Sequence, residues 1–344
     1  MASIWVLIVI MISFISTWLL GKKVIPYLHK LKYGQTILEI GPSWHKNKQG
    51  TPTMGGIIFI FGIYLSLILC MPLYLIFSSS NIRFQEPPFM TLKIISGLFM
   101  ALAYGIVGFL DDYIKIVKKR NLGLTALQKL ILQFLIVASY LISLYFAESS
   151  YGGTNVTSTI IPFIGRVDLG IFYWPIAAIV IVGTVNAVNL TDGIDGLSTS
   201  VTFFVAIFLM LISGFLGMIS LSLVCGALIG GCFGFLIYNI HPAKVFMGDT
   251  GSLFLGGLIC AIAFSMNMPI ILPVVGIIYV IEMLSVMIQV TYFKITKGKR
   301  LFKMSPLHHH FEMCGWNEMK ICTVFDIITI IFGILTVICV VYGY

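Results

Sequence analysis

Long apolar segments separated by shorter polar ones make up most of the chain. A helix that crosses a bilayer needs about 20 mostly apolar residues. Ten segments meet that requirement: residues 3–20, 54–77, 92–110, 128–147, 172–190, 198–215, 219–238, 252–266, 270–293 and 322–342. Since the polar stretches between them are too short for a water-soluble domain, the pattern predicts one integral membrane domain over residues 1–344. We expect an all-α polytopic protein with about ten transmembrane helices.

One segment between the apolar runs has a different pattern. Residues 148–171 contain two short β-prone stretches separated by glycines. Strand-forming residues bounded by glycines are typical of a hairpin. The segment therefore predicts a small β-hairpin outside the bilayer.

Composition narrows the class of protein further. Of 344 residues, 59% are hydrophobic and only 10% are charged, whereas soluble domains contain about 25% charged residues. This excludes a soluble enzyme, a nucleic-acid-binding domain and a disordered chain. The seven cysteines are scattered and form no CxxC pair, so neither a disulfide framework nor a zinc site is indicated.

The cations predict the orientation in the membrane. Eighteen of the 21 lysines and arginines lie in the four segments 21–51, 111–129, 239–251 and 294–320. Cationic loops remain in the cytoplasm. We therefore expect these segments to be cytoplasmic and both termini to be outside.

Carboxylates cluster at the ends of helices that this orientation makes cytoplasmic. Asp111 and Asp112 end the third apolar segment, Asp192 and Asp195 follow the fifth, and Asp249 precedes the eighth. Acids beside hydrocarbon are costly and are therefore functional candidates. For the adjacent pair, a divalent cation or a proton-transfer role would relieve the repulsion. The alternative is two solvated acids paired with neighbouring lysines.

The two later acidic segments also have two interpretations each. In residues 186–198, acids and an asparagine spaced by three would share one face of a helix, or the Asn, Asp and Gly residues form an ordinary turn. Asp249 could cap the next helix. However, His241 and Lys244 crowd the same loop, a mixture that suits a phosphate and its Mg²⁺ ion.

Two further groups of polar residues each have more than one possible role. Three consecutive histidines lie in the basic segment 299–316, where they could contact phosphate or move protons. A zinc site is the alternative, but no second cluster completes it. Glu282 and Gln289, seven residues apart on one helix face, could line a cavity or pair between helices.

These segments together resemble a known family. The sequences GTPTMGG (50–56), GFLDDYIK (108–115), NAVNLTDGIDGL (186–197), FMGDTGSL (246–253) and PLHHHFE (306–312) occur in this order. With these five motifs in this order, the chain resembles the phospho-N-acetylmuramoyl-pentapeptide transferases over essentially its whole length. That family belongs to the polyprenyl-phosphate N-acetylhexosamine-1-phosphate transferase superfamily. The histidine segment favours that family over relatives that use other UDP-sugars.

The resemblance implies a reaction and its setting. It implies transfer of phospho-N-acetylmuramoyl-pentapeptide from its UDP derivative to undecaprenyl phosphate, giving lipid I and UMP. It also implies Mg²⁺ dependence, a homodimer and an active site on the cytoplasmic side of the bacterial plasma membrane, in peptidoglycan synthesis. The alternatives are a relative that transfers N-acetylglucosamine-1-phosphate, a transporter or channel that uses the acids for ion coupling, and a structural scaffold.

The resemblance also implies roles for individual residues. Asp249 would be the Mg²⁺ ligand, and Asp111 and Asp112 the acid/base pair at the lipid phosphate, with His308 as a further catalytic group. The implied substrate contacts are Lys48, Thr53, Lys115, Lys129, Asn189, Asp192, Gly193, Ile194, Asp195, Asn239, Phe246, Gln289 and His309. Among these, Phe246 would offer an aromatic face to uracil.

Overall fold

The computed structural model describes residues 2–30, 50–79, 86–118, 122–150 and 155–344. Its long helices are α1 (Ala2–Lys30), α2 (Gly56–Ser79), α3 (Pro88–Val117), α4 (Ala126–Ser150), α5 (Tyr173–Thr191), α6 (Leu197–Phe215), α7 (Ile219–Asn239), α8 (Gly248–Ser265), α10 (Ile277–Ile295) and α12 (Glu318–Gly343). Two short helices, α9 (Leu272–Val275) and α11 (Leu307–Glu312), precede and follow α10. In the described part of the chain, ten helices are long and apolar enough to cross a membrane, as the sequence predicts.

The ninth apolar segment is interrupted. Its outer part forms a short 3-10 helix over Pro269–Ile271 followed by α9, and Gly276 separates α9 from α10. Pro273 lies in the first turn of α9, where proline is tolerated. The break in the segment falls at Gly276 and not at this proline.

The external hairpin is present. Strands β1 (Ser158–Ile161) and β2 (Gly165–Asp168) pair antiparallel, with Ser158 opposite Asp168. The hairpin contacts two helix ends, because the Ile160 amide donates to the Asn267 carbonyl at 2.8 Å and the Phe163 amide donates to the Gly343 carbonyl at 2.8 Å. The C-terminal ends of α8 and α12 therefore lie beside the hairpin.

The core of the bundle is formed around α7 and α8. In the most apolar 18-residue stretch of each helix, 83% of the residues of α7 and 89% of those of α8 are buried, against 22% for α1 and 28% for α12. Lipid-facing helices are as apolar as interior ones, so the interior helices of a membrane bundle are distinguished by small residues that permit close packing. Small residues permit the close packing of α8, for example Gly257, which lies against Ala101 of α3.

One expectation about local structure is wrong, and one pair of open alternatives is decided in favour of a turn. Asp111 and Asp112 do not end their helix, since α3 continues to Val117 and places both acids more than a turn before its end. Asn189, Asp192 and Asp195 do not share one helical face, because α5 ends at Thr191. The glycines that follow turn the chain instead, and Gly196 adopts a φ of 81°.

Candidate active site

Four helix ends meet at the end of the bundle opposite the hairpin. They are the C-terminal parts of α3 and α5 and the N-terminal parts of α4 and α8. Their contact is close because α3 carries Gly108 where the Asp249 main chain approaches. Carboxylates and lysines that are far apart in the sequence converge here.

Asp249 lies at the centre of this cluster. Its Oδ2 accepts hydrogen bonds from Lys115 Nζ at 3.1 Å and from Lys129 Nζ at 2.9 Å. Its Oδ1 accepts from Asn189 Nδ2 at 2.9 Å, and that amide nitrogen also lies 2.8 Å from Ser252 Oγ. Four helices thus contribute to fixing one carboxylate.

Asp112 binds the N-terminus of α8. Its side chain accepts from the amides of Asp249 and Thr250, at 3.3 and 3.0 Å, and from Thr250 Oγ1 at 2.8 Å. The first amides of a helix have no partner within the helix, and its N-terminus favours negative charge. Asp112, rather than Asp249, therefore caps α8.

Asp111 is buried but less completely bonded. Its Oδ1 accepts from the Leu124 amide at 2.8 Å. Its Oδ2 forms an ion pair with Lys115 Nζ at 2.5 Å. Thus the two neighbouring aspartates have different environments: Asp112 binds the start of α8, and Asp111 pairs with Lys115.

The three aspartates form a set of oxygen donors that fits a hard divalent cation. One carboxylate oxygen from each of Asp111, Asp112 and Asp249 lies within 4.8 Å of the others. Mg²⁺ is bound by carboxylates together with water and phosphate oxygens. The described residues around it add no sulfur or imidazole ligand to this group, so its donor chemistry suits Mg²⁺ rather than zinc.

The loop of residues 192–196 forms the next part of the site. Loss of hydration at Asp192, together with the charges of Asp249 and Asp112, raises its pKa well above the usual range. Asp195 is oriented away from this cluster, since its Oδ2 accepts from the Ala243 amide at 3.0 Å and pairs with His241 Nδ1 at 3.0 Å. The loop therefore joins the acidic cluster to the α7–α8 connection.

The triple-histidine segment forms α11 and adjoins the same loop. The His308 ring is 0% exposed, and a Cβ built on Gly193 would overlap its Nε2. Glu282 of α10, also 0% exposed, accepts from the amides of Leu307 and His308 at 2.8 and 3.0 Å. Its Oε2 lies 3.2 Å from His308 Nδ1. Glu282 therefore pairs between structural segments, one of the two roles that the sequence leaves open.

The remaining predicted residues lie around these groups. Thr53 is close to Gly248, at the start of α8. Phe246 is partly exposed, and its main chain bonds to Pro52 and Gly55. Ile194 is buried in the 192–196 loop. Lys48 lies outside the described residues.

Three further predicted substrate contacts also have partners within the protein. Asn239 accepts from Thr199 Oγ1 at 2.8 Å and donates to the Val245 carbonyl at 3.0 Å. The Gln289 side chain bonds to the main chain of residues 301 and 302. His309 Nδ1 lies 2.6 Å from Glu312 Oε2. These contacts hold the walls of the site, and the roles of all three residues toward a substrate stay predictions.

Several residues of the site have no clear signal in the sequence. Thr250 and Ser252 could be anticipated only as capping residues, and Glu318 of α12 is an ordinary acid in a helix's first turn. Glu282 does carry a signal, because an acid inside an apolar segment requires a partner. The identity of that partner depends on tertiary structure.

The fold and the site define a class: a polytopic membrane transferase with a carboxylate and lysine cluster at one end of its bundle. The model of glycosyl transferase family 4 matches residues 94–267. Signature 1 of the phospho-N-acetylmuramoyl-pentapeptide-transferases matches residues 48–60. The chain is 49% identical to the phospho-N-acetylmuramoyl-pentapeptide-transferase of Clostridium perfringens strain SM101, over 95% of this chain and 94% of that protein.

Two further relatives carry the same name. The protein from Clostridium kluyveri is 46% identical over 94% of this chain and 95% of its own length. The protein from Caldicellulosiruptor bescii is 46% identical over 97% of both chains. The chain belongs to the phospho-N-acetylmuramoyl-pentapeptide-transferase family, as its motifs indicate.

Proposed function

We propose that this protein transfers phospho-N-acetylmuramoyl-pentapeptide from its UDP derivative to undecaprenyl phosphate, giving lipid I and UMP for peptidoglycan synthesis. The observation that carries the proposal is the convergence of Asp111, Asp112 and Asp249 with Lys115 and Lys129 at one end of a membrane bundle. A reaction between a soluble diphosphate and a lipid phosphate needs such a charged site at the bilayer surface. The family membership makes these two substrates the natural choice.

We propose Mg²⁺ as the cofactor, held by Asp249 with the neighbouring aspartates. The ion would neutralise charge on the diphosphate. Lys115 and Lys129 are positioned to bind phosphate oxygens, since both ammonium groups already bond to Asp249 Oδ2. Substrate would therefore exchange one set of anionic partners for another at these lysines.

In the proposed reaction, the lipid phosphate attacks directly. An oxygen of undecaprenyl phosphate forms a bond to the β-phosphorus, the bond between that phosphorus and the UMP oxygen breaks, and UMP leaves with the bonding electrons. Asp111 accepts any proton on the attacking phosphate, because its Oδ2 pairs with the partly exposed ammonium of Lys115, whereas Asp112 is committed to the N-terminus of α8. A phosphate oxyanion is already nucleophilic, so a covalent enzyme intermediate is unnecessary. A covalent adduct between the enzyme and the phospho-sugar, trapped in the absence of lipid phosphate, would contradict this mechanism.

The 192–196 loop and its surroundings form the proposed nucleoside site. Asn189, Asp192, Gly193 and Ile194 border it, and Phe246 offers the aromatic face for uracil. His308 approaches the loop at Gly193 and would contact the substrate near its diphosphate. We also propose a homodimer in the bacterial plasma membrane, with this site on the cytoplasmic side, where the cationic loops are predicted to lie.

The deciding experiment measures UMP release by the purified protein. The reaction contains UDP-N-acetylmuramoyl-pentapeptide, undecaprenyl phosphate and Mg²⁺. We expect UMP and a lipid-linked product, both lost with a chelator and both restored by added Mg²⁺. If folded protein released no UMP under these conditions, the proposed function would be refuted. If turnover continued in the presence of the chelator, the proposed Mg²⁺ dependence would be refuted.

The N-acetylglucosamine alternative is tested in the same assay. UDP-N-acetylglucosamine replaces the muramoyl substrate at equal concentration, with all other components unchanged. We expect no UMP above background. Preferential turnover of UDP-N-acetylglucosamine would reverse the substrate assignment while leaving the reaction class intact.

A further inference from the structure

The main chain of Asp195 is held by side chains of α12. The Asp195 amide donates to Glu318 Oε2 at 2.9 Å, and its carbonyl lies 3.4 Å from Cys322 Sγ, the donor of that contact. Main-chain groups away from water require partners. At this residue both groups find them on one neighbouring helix, so the position of the 192–196 loop depends on α12.

A third residue of α12 extends this contact into the membrane. Asp326 accepts a hydrogen bond from Ser200 Oγ of α6 at 2.8 Å. Residues four apart share a face of a helix, so Glu318, Cys322 and Asp326 form one row, here called the α12 row. The row follows the chain from Asp195 into the first turn of α6.

The same helix supports the histidine segment. The ring centroids of Phe325 and Phe311 lie 6.1 Å apart, edge to face, and Phe311 stacks on Trp316 at 4.7 Å. Phe311 belongs to α11, which carries His308. Therefore α12 contacts both parts of the site that meet where Gly193 lies against His308.

We infer that α12 is the positioning element of the nucleoside site, acting through the α12 row. The inference rests on the proposed function, because it assigns the 192–196 loop to the UDP portion of the substrate. The residues of the α12 row do not contact the reacting atoms. They fix the loop, and thereby the spacing between Gly193 and His308.

The first test compares Glu318→Ala with Glu318→Gln. Alanine removes the acceptor for the Asp195 amide, whereas glutamine retains one. We expect Glu318→Ala to raise the KM for the UDP substrate and the Kd for UMP about tenfold, which corresponds to the loss of one buried hydrogen bond. Glu318→Gln should stay within about threefold of wild type, since a neutral acceptor replaces a charged one. The KM for undecaprenyl phosphate should stay unchanged in both variants.

A purely structural role predicts a different result. It would lower the unfolding temperature and reduce the active fraction, which changes kcat without changing the KM for one substrate selectively. Thr323→Ala is the matched control on the same helix, because Thr323 is exposed and its hydroxyl donates to the Met319 carbonyl of α12 itself. This variant should retain wild-type kinetics.

The second test is a double-mutant cycle between Ser200→Ala and Asp326→Ala, each of which removes one partner of the hydrogen bond. If the two side chains act through their mutual hydrogen bond, the double variant should raise the Kd for UMP no more than the larger single effect. Additive effects, or unchanged UMP binding in all three variants, would show that Asp326 does not help to position the loop. Equal KM values for wild type and Glu318→Ala would overturn the inference as a whole.

The failure of the inference can be distinguished from failure of the proposed function. Wild-type protein that releases no UMP removes the function, whatever the variants do. Active wild-type protein whose Glu318→Ala variant binds UMP normally removes only the role of α12.

Discussion

Gly108 of α3 lies directly against the main-chain carbonyl of Asp249 at the start of α8. A Cβ at Gly108 would overlap that carbonyl and the adjoining peptide group. The missing side chain permits α3 to approach α8 closely enough for Asp112 to cap it and for Asp111 to approach Asp249. The geometry of the acidic cluster therefore depends on a residue that has no chemical function.

Gly108→Ala is expected to separate the two helices at the site. Displacement of a catalytic group by about 1 Å can cost 100-fold in rate. We expect kcat to fall at least tenfold, with retained expression and a modest loss of thermal stability. The measurement is UMP release at saturating substrates, together with thermal unfolding in detergent.

Gly105→Ala provides the matched control one turn earlier on α3. A Cβ there would meet its nearest neighbour, the Cβ of Phe254, at 3.4 Å, which is close to an ordinary van der Waals contact. We expect kcat within about twofold of wild type, since the packing needs little adjustment. Equal losses in both variants would show that α3 tolerates no added volume anywhere and that the Gly108 contact has no special role.

Asp249→Ala removes the carboxylate that binds both lysines. Lys115 and Lys129 would then face each other without their common anion, and the proposed metal site would lose its central ligand. We expect turnover to fall at least 100-fold, in line with the loss of electrostatic stabilisation in a preorganised site. The assay is UMP release across a Mg²⁺ titration, and chromatography checks that the variant is folded.

Added Mg²⁺ should fail to restore this variant. Recovery of wild-type turnover at high Mg²⁺ would contradict the central role of Asp249, because it would show that the other carboxylates suffice. Lys118→Ala is the matched control, since Lys118 follows α3 and is exposed.

The architecture was predictable because a bilayer imposes a minimum length on apolar segments. The apolar runs mark the helices, but several helices continue past them, since polar residues at a membrane surface can remain helical. α3 is the clearest case, because Asp111 and Asp112 are helical residues followed by a further turn. The identity of the acidic residues was readable in the sequence, whereas their environment was not.

The parts of the site that could not be predicted are tertiary contacts. Asp112 and Thr250 are 138 residues apart, and Glu282 and His308 are 26 residues apart with no sequence pattern that would join them. The close approach of Gly108 to the Asp249 main chain is likewise a contact between two helices that are distant in the sequence. The sequence singles out Glu282 and the acids and lysines that converge here, whereas nothing in it shows which other element each of them contacts.

The neighbouring aspartates should respond differently to neutralisation. Asp111→Asn removes the proposed proton acceptor and keeps an acceptor for the Leu124 amide, so we expect a kcat loss of about 100-fold or more with little change in stability. Asp112→Asn should also lower kcat, and it removes a negative charge from the N-terminus of α8. Loss of charge-assisted capping should reduce stability by about 1–2 kcal/mol.

Thermal unfolding and UMP release of the two variants test this distinction. The expected result is a lower unfolding temperature for Asp112→Asn alone. If Asp111→Asn retained wild-type UMP release, the base assigned in the proposed reaction would be wrong. If the stabilities matched, the cap of α8 would contribute less than its three hydrogen bonds suggest.

Gly193→Ala is expected to disturb the contact between the 192–196 loop and His308. A methyl group there would overlap the imidazole, which is enclosed and held at its helix by Glu282. We expect the KM for the UDP substrate to rise about tenfold or more, while the KM for undecaprenyl phosphate stays unchanged. Gly183→Ala on α5 is the control, since its Cβ would meet only Met283 at 4.0 Å. A selective rise in the KM for undecaprenyl phosphate would contradict this prediction, because it would place Gly193 at the lipid site and not at the site of the UDP substrate.

The final prediction concerns stability at the opposite end of the bundle. Lys93 and Glu148 form an ion pair with side chains only 1% and 2% exposed, and Lys93 Nζ also donates to Asn267 Oδ1 at 2.9 Å. Removal of one partner from a buried pair leaves an uncompensated charge and costs about 3–5 kcal/mol, whereas removal of both can be nearly neutral. Lys93→Met and Glu148→Gln should each lower the unfolding temperature strongly, and the double variant should recover most of that loss. Thermal unfolding in detergent measures the effect, with UMP release at a permissive temperature as the check that the distant site is intact. Additive losses in the double variant would mean that the two side chains stabilise the bundle independently rather than as a pair.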